Sequence, residues 1–408
     1  MGEKKEKEEK QPVIRLTADL LRKLAEAAEI ELEDVELEFD ELELELLPGG
    51  VRLIPRMAPP VAKKEEKPAQ LLEVEYAPPK QEYPGRIVEV KLGATRAEGG
   101  TRSHSIVIGG ETAPAFYLFR SPTPHPPVIA FDVFDTPKVS LPGAVKRQIR
   151  EVLEDPAAWA KLCVERFGAE MINLHLVSVD PLIDDTSPER ALKTVESVLE
   201  AVDVPLAVGG CGDPAKDLKV FEKIAAATAG ERILFNSVTL DMDIERTAKL
   251  IKQYDHTVIA FTSMDVNHAR ELNRKLYEFL PREQIVMDTT TAALGYGLDY
   301  AFTVMERARI AGLKGDPELQ QPISSGTTNA WAAREAWMTM DPKWEPKELR
   351  GPLWETTTAL SLLLAGVDYF MMMHPAAART LKTVIDGLMS NRKENEAPVN
   401  WVSLRIQR

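Results

Sequence analysis

The side chains best suited to chemistry in this chain are hydroxyls, amides and carboxylates at the ends of short apolar segments. The candidate binding residues are Asn236, Asp288, Thr289, Thr290, Thr291, Ser324, Ser325, Gly326 and His374. Such groups hydrogen-bond a large neutral heterocycle or its amide side chains, whereas a zinc site needs clustered His, Cys, Asp and Glu. The sequence has no H-E-x-x-H motif and no close cluster of those ligand types. It therefore predicts a hydrogen-bonding site and no metal ligands.

The elements that must position these residues repeat eight times between Val128 and Met373. The predicted strands are VIAFDVF (128–134), MINLHLVSV (171–179), VPLAVGG (204–210), RILFNSV (232–238), TVIAFTS (257–263), QIVMDTT (284–290), QPISSG (321–326) and DYFMMMH (368–374). Each is too short and too continuously apolar for a half-exposed antiparallel strand, and suits burial on both faces. Amphipathic helical patterns, such as 187–202 and 265–280, separate them.

Strict alternation of strand and helix indicates parallel pairing with right-handed crossovers. Eight units in about 250 residues match a closed barrel, because an open doubly wound sheet usually has fewer strands and a glycine fingerprint in its first turn. The predicted fold class is therefore α/β, a (β/α)8 TIM barrel. In such barrels the loops that follow the strands build the working face, so the candidate residues should share one rim.

The sequence divides into four segments that differ in composition and charge. Residues 1–54 predict an acidic extension with a helix after Thr17, followed by the alternating segments 35–39 and 42–46. Asp40–Glu41 breaks the register between these segments, which predicts either a tight hairpin or a bulged strand. Residues 55–84 hold seven prolines and predict a stiff linker. Residues 85–390 form the barrel unit, led by a β-hairpin of 86–93 and 104–110 that we expect to close its N-terminal mouth. Residues 391–408 are a polar tail.

Composition excludes several classes of protein. A net charge of −14 argues against binding to nucleic acid, whose phosphates demand a basic face. No apolar run is long enough to span a membrane, and the N-terminus lacks a secretory signal, so we expect a cytoplasmic protein. Only Cys163 and Cys211 are present, which fits a reducing compartment and cannot supply the four ligands of a cubane iron–sulfur cluster.

The segment 209–214 and the side chains of Cys211, His374 and His175 each allow a functional and a structural interpretation. The GGCGDP segment (209–214) is either a phosphate-binding turn or, as we favour, an ordinary turn in which Asp213 caps the next helix and Pro214 takes its first position. Cys211 has no His or Asn constellation that would support a nucleophile. His374 is either a rim group or a packing histidine, and His175 is expected to be a satisfied core histidine.

Several long segments resemble one family, in order and without large gaps over roughly 84–390. They are TRSHSIVIGGETAPAF (101–116), PPVIAFDVFD (126–135), MINLHLVSVDP (171–181), PLAVGGCGDPAKD (205–217), TTTAALGYGLDYAFTVMERAR (289–309) and GPLWETTTALSLLLAGVDYFMMMHP (351–375). The chain resembles the delta subunit of the acetyl-CoA decarbonylase/synthase complex, also known as the small subunit of the corrinoid iron–sulfur protein. Its N-terminal extension is similar to that of the archaeal versions.

The resemblance implies a subunit that is not catalytic alone. It implies a heterodimer with a larger gamma subunit, which carries the iron–sulfur cluster and the main corrinoid domain, with the corrinoid (cobalamin) at the interface. The cobalt would accept a methyl group from a methyl-tetrahydropterin or methyltetrahydrofolate and pass it to acetyl-CoA synthase, within a complex that also holds CO dehydrogenase. The barrel rim would cover the corrinoid, with Asn236, Asp288–Thr291, Ser324–Gly326 and His374 as the expected contacts.

Two other functions remain open at this level. The chain is alternatively an independent pterin methyltransferase of similar fold, in which Asp132, Asn236 and Asp288 hydrogen-bond a pterin ring. A third interpretation is a scaffold that maintains the quaternary structure of the complex and uses its acidic extension as a docking arm.

Overall fold

The computed structural model describes residues 44–47, 50–53, 81–117 and 123–390 of the 408. The chain divides into two units, Met1–Ala77 and Pro78–Arg408. The predicted N-terminal helix, the segment 35–39, residues 55–80 of the linker and the tail 391–408 lie outside the described residues.

The described part of the first unit is one β-hairpin. Strand β1 (Leu44–Leu47) pairs antiparallel with β2 (Gly50–Leu53), so residues 48–49 connect the two strands. The register break predicted at Asp40–Glu41 lies outside the described residues.

Eight parallel strands of the second unit close into a barrel, which confirms the predicted fold. The strands are β5 (Val128–Phe134), β6 (Met171–His175), β7 (Leu206–Gly209), β8 (Leu234–Val238), β9 (Thr257–Phe261), β10 (Ile285–Asp288), β11 (Ile323–Ser325) and β12 (Val367–Met372). They follow one another in chain order around the barrel, and β12 returns to pair with β5, with Tyr369 opposite Val128.

Helices surround this barrel. They are α1 (Gly143–Ile149), α2 (Pro156–Phe167), α3 (Pro188–Ala201), α4 (Pro214–Ala227), α5 (Ile244–Gln253), α6 (Val266–Tyr277), α7 (Leu298–Leu313), α8 (Lys347–Ala365) and α9 (Pro375–Met389). Several begin with a polar cap followed by proline, as in α3, where the Ser187 side chain accepts from the backbone N–H of Arg190. No helix among the described residues is long and apolar enough to cross a membrane.

Two separate apolar layers hold the unit together. The larger lies between the outer faces of the strands and the helices, and includes Phe221, Phe235 and Phe370. The smaller fills the barrel lumen. Its members are Val90, Leu92, Ile108, Val128, Ala130, Met171, Ala207, Leu234, Ile259, Val286, Tyr369 and Met371.

The first three lumen residues belong to a hairpin outside the barrel. Strand β3 (Val90–Leu92) pairs antiparallel with β4 (Ile106–Ile108). Their apolar side chains pack against residues at the N-terminal ends of barrel strands, such as Val128 and Met171. The hairpin therefore closes the N-terminal mouth, as the sequence predicted, and leaves the C-terminal mouth as the open end.

A buried ion network fastens this hairpin to the barrel. The guanidinium of Arg309, on α7, donates to Glu111, which follows β4, with Nη1 and Oε2 3.0 Å apart, and it also bonds Asp368 at the start of β12. Both carboxylates and the guanidinium are almost completely shielded from solvent. The two carboxylates outweigh the effect of burial and raise the pKa of Arg309 above its usual value.

Candidate functional site

The open mouth of the barrel carries a ring of polar side chains above the lumen core. Because side chains two residues apart on a strand share a face, the residue two positions after each lumen residue also points inward. This places Asp132, Asn173, Asn236 and Asp288 above Ala130, Met171, Leu234 and Val286. Met371, the last residue of the lumen core on β12, lies at the same level above Tyr369.

One side of the ring is built around the Asp132 carboxylate. Its Oδ1 accepts from Asn173 Nδ2 at 2.7 Å and lies 2.9 Å from His175 Nε2, while Oδ2 accepts from the Thr328 hydroxyl. His175 stacks on Phe134, with ring centroids 4.9 Å apart, and its side chain is 23% exposed. The expectation of a satisfied core histidine is thus met in its hydrogen bonding, but His175 faces the mouth and is only partly buried.

The opposite side of the ring holds Asp288, which is 4% exposed. Its Oδ1 accepts from the backbone N–H of Thr290 at 2.8 Å, and its Oδ2 accepts from Ser324 Oγ at 2.9 Å. Burial raises the pKa of Asp288 to about 6, against the opposing effect of these two hydrogen bonds. Thr290 adopts a positive φ of 68°, which turns its amide towards the carboxylate.

Asn236 lies between these two groups and is partly exposed. Its Nδ2 donates to the sulfur of Met371, 3.3 Å away on the far side of the lumen. A thioether is a weak acceptor, so this amide keeps most of its capacity to bind another group.

Four of the five predicted hydroxyls bond other protein groups, whereas the buried Thr289 Oγ1 has no partner among the described residues. Thr291 Oγ1 and Ser325 Oγ lie 2.9 Å apart, and Ser325 Oγ is equally close to Thr327 Oγ1. Thr290 Oγ1 donates to the carbonyl of Thr262 at 2.7 Å. Of the nine predicted site residues, Thr289, Thr291, Asp288, Ser324, Ser325 and His374 are buried, whereas Asn236, Thr290 and Gly326 are partly exposed.

His374 is the N-cap of α9, and its Nδ1 accepts from the backbone N–H of Ala376 at 3.2 Å. Burial, with a contribution from Arg147, lowers its pKa to about 4, so the ring is neutral at physiological pH. The ring centroids of His374 and Trp331 are 6.0 Å apart. His374 therefore packs against Trp331 and caps α9.

Glu355, which the sequence reasoning missed, lies fully buried in the middle of α8. Its Oε1 accepts from the backbone N–H of Met373 at 2.6 Å and its Oε2 from that of His374 at 3.1 Å. Burial raises the pKa of Glu355 to about 8. The only sequence signal was an acidic residue on the apolar side of a helix, which does not identify its partners.

The Gly-rich turn after β7 does not offer its amides to a phosphate. Asp213 caps α4 by accepting from Lys216 N–H at 2.8 Å, with Pro214 in the first position, as predicted. Asp217 occupies the turn and accepts from the N–H groups of Cys211 and Gly212, both at 2.8 Å. Burial and the nearby carboxylates raise the pKa of Cys211 to about 11, so this thiol is a poor nucleophile.

Large apolar side chains surround the mouth. Among the described residues, eleven large apolar side chains are exposed, and ten of them lie in loops after strands, at the last residue of a strand or in the first turns of the following helices. This distribution distinguishes the face from the rest of the described surface. The ten residues are Leu182, Phe261, Met264, Tyr296, Tyr300, Trp337, Met338, Trp344, Leu349 and Leu353. The long β11–α8 connection (326–346) contributes three of them through a series of short 3-10 turns.

No group of three or more His, Cys, Asp and Glu able to hold a metal ion occurs within the part of the chain that the structure describes. The fold and site thus define a class: a (β/α)8 barrel, plugged at one end, whose open mouth combines buried carboxylates and amides with an apolar rim.

Comparison with known proteins identifies the family within that class. Residues 89–345 match the family model described as the CO dehydrogenase/acetyl-CoA synthase delta subunit. The acetyl-CoA decarbonylase/synthase complex subunit delta of Archaeoglobus fulgidus is 52% identical over 355 residues, 85% of this chain and 78% of that protein. The chain belongs to this delta-subunit family, as its sequence motifs indicated.

A more distant member covers nearly the whole chain. The corresponding subunit of Methanocaldococcus jannaschii is 43% identical over 387 residues, 93% of this chain and 94% of that protein. Among solved structures, dihydropteroate synthase from Xanthomonas albilineans in complex with 7,8-dihydropteroate is 16% identical with a TM-score of 0.48, covering 68% of this chain and 99% of that one.

Proposed function

We propose that this chain acts as the delta subunit of an acetyl-CoA decarbonylase/synthase complex by covering a corrinoid held with a larger gamma subunit. In that role it serves methyl transfer between a methyl-tetrahydropterin, or methyltetrahydrofolate, and acetyl-CoA synthase. The observation that carries the proposal is the concentration of exposed apolar side chains around the open barrel mouth. Such a face is costly to leave in water and is typical of a surface that another macromolecule covers.

The residues of the mouth fit a corrinoid. Phe261, Tyr296 and Trp337 offer apolar surface to the rim of a flat macrocycle, and the partly exposed Asn236 amide and Thr290 hydroxyl can bond its amide side chains. When bound, the cobalt would supply the methyl-accepting centre. The part of this chain is to exclude water and to orient the macrocycle, since a corrinoid carries its own reactive atom.

Some polar side chains of the mouth contact solvent, whereas others are buried and support the rim. The side chains of Thr289, Thr291 and Ser325 are buried. Replacing them with bulky residues would therefore distort the local structure, and any effect on ligand binding would be indirect. Exposed side chains of the rim give a cleaner test of ligand covering.

Leu353→Ser combined with Trp337→Ser is expected to weaken association with the gamma subunit about tenfold or more, because buried aromatic and aliphatic anchors dominate interface energies. The measurement is the dissociation constant of the purified subunits, with the cobalt content of the isolated heterodimer. Leu364→Ser is the matched control for Leu353→Ser. Both leucines lie on α8, where Leu364 is 59% exposed and Leu353 is 55% exposed. Leu364 lies at the end of the helix that is away from the mouth. Unchanged affinity and cobalt content in the double variant would reject the proposal.

A further inference from the structure

A groove of about 750 Å³ lies on the outside of the barrel, at the end opposite the mouth. Its sides are formed by 161–165 of α2 and 196–201 of α3, two helices that pack against each other, and by the end of α4. The half-buried apolar side chains of Val164 and Leu199 line it. Its volume falls within the range of ligand-binding clefts, roughly 300–1,000 Å³.

The carboxylates of this groove outnumber its cations. Two of the five have a cationic neighbour, since Arg102 Nε lies 2.9 Å from Glu231 Oε2 and Lys161 Nζ lies 3.7 Å from Glu165 Oε1. The other three are exposed and form no ion pair within the part of the chain that the structure describes. They are Glu196, Glu200 and Asp203. The groove therefore favours an occupant that is both apolar and positively charged.

The chain itself leads towards this groove from its last described helix. Lys382 Nζ, on α9, lies 3.3 Å from Glu170 Oε1, and Glu170 follows directly after α2. Helix α9 thus ends beside α2, whose other side borders the groove. Residues 391–408 follow, and 18 residues reach about 60 Å when extended. Because a helix is only about 10–12 Å wide, this segment is long enough to cross α2 and enter the groove.

The segment 398–408 matches the groove in chemistry. It contains two arginines and no acidic residue, and three apolar residues alternate with polar ones. The apolar residues are Val402, Leu404 and Ile406. In an extended chain this alternation would bring the three apolar side chains to one side. That side suits the apolar lining of the groove, and Arg405 and Arg408 suit its unpaired carboxylates.

We propose that 398–408 binds in the groove between α2 and α3 of the same molecule, with its arginines on Glu196, Glu200 and Asp203. A segment tethered to its own groove binds at an effective concentration in the millimolar range, so modest contacts suffice. The occupant also covers Arg102, which follows the short turn after β3 and donates to the Val202 carbonyl at 2.6 Å.

The bound segment therefore braces the β3–β4 connection against the outer helices. Because the groove lies at the opposite end of the barrel from the mouth, this contact does not depend on the corrinoid or on the gamma subunit.

The test uses the full chain carrying Leu404→benzoylphenylalanine, a side chain that bonds to neighbouring C–H groups under ultraviolet light. We expect mass spectrometry to find cross-links from position 404 to 161–165 and 196–203. Glu196→Lys combined with Glu200→Lys should lower their yield by about fivefold or more, because like charges then face each other. Glu278→Lys combined with Glu306→Lys is the matched control. Both are exposed carboxylates without an ion pair among the described residues, and both lie outside the groove.

Mixing the protein with an isotopically labelled copy distinguishes cross-links within one molecule from those between two. Cross-links within one molecule, lost in the groove variant and kept in the control, support the inference. Cross-links only between two molecules would assign the groove to a second copy and overturn it. Cross-links elsewhere, none at all, or equal yields in groove variant and control would overturn it too. Arg405→Glu combined with Arg408→Glu repeats the charge test from the other side if the groove variant unfolds in thermal melts.

Discussion

An Arg309→Met variant is expected to lose about 3–5 kcal/mol of unfolding free energy, the usual effect of removing one partner of a buried ion network. Met fills much of the same volume but leaves the carboxylates of Glu111 and Asp368 without their shared cation in a site closed to water. Because the network joins the hairpin to the last strand, the plug of the N-terminal mouth should loosen first. Chemical denaturation at pH 7 would measure the change.

Arg307→Met is the matched control, since Arg307 lies on the same helix but is exposed. It should change stability by less than about 0.5 kcal/mol, as most surface substitutions do. Adding Asp368→Asn to Arg309→Met should recover part of the loss, because it removes one of the two stranded charges. Equal stability of the Arg309 and Arg307 variants would show that the network contributes nothing to the fold.

The wild-type protein is expected to lose unfolding free energy as the pH rises from 6 to 8, and a Glu355→Gln variant should lose much less over the same range. Burial raises the pKa of Glu355 to about 8 in the fold from its ordinary value of 4.5. Its contribution is therefore fully present below pH 4.5 and disappears as the pH rises through 8. Within this window the loss is about 1.4 kcal/mol per pH unit, because the folded state holds a proton that the unfolded state has released. Glutamine stays neutral and can still accept through its oxygen.

The measurement is the free energy of unfolding at intervals from pH 6 to 9 for both proteins. Glu348→Gln, on the same helix but exposed, should keep the wild-type slope. Asp288 also has a raised pKa, about 6, but its contribution is lost mostly at lower pH and does not mask the effect above pH 7. A Glu355→Gln protein with an undiminished slope above pH 7 would show that Glu355 is already ionised in the fold.

Glu355 and Asp288 belong to the same end of the barrel. Neither carboxylate has a cationic partner among the described residues, in contrast to the Arg309 network at the other end. The stable end of the barrel thus satisfies its charges internally, whereas the open end retains polar groups with unused capacity. This contrast supports binding at the C-terminal mouth.

The barrel was predictable because its signals are local. Each strand is a short apolar run, each helix has a 3.6-residue pattern, and caps such as Ser187 and Asp213 sit immediately before proline. All eight strands fell within the predicted segments or within one residue of them. The hairpin plug was predictable for the same reason.

The candidate site was predictable only as a rim. The sequence placed Asn236, Asp288, Thr290 and Gly326 at strand ends, where the barrel topology brings them to one face. It could not show that Thr291 and Ser325, 34 residues apart, would bond each other and leave little for a ligand. Nor could it reveal the apolar rim, since an exposed Trp337 and a buried Trp331 look alike in a tryptophan-rich segment.

The sequence by itself determined the eight-unit barrel, the family and the residues that share the C-terminal rim, because short-range patterns and strand ends suffice for these. Only the tertiary structure decided which polar groups satisfy one another and which remain available. Arg309 bonds Glu111, which is 198 residues away in sequence. Glu355, on α8, accepts hydrogen bonds from the backbone of Met373 and His374, which follow β12. Closure of the barrel creates these pairs, and no local pattern encodes them.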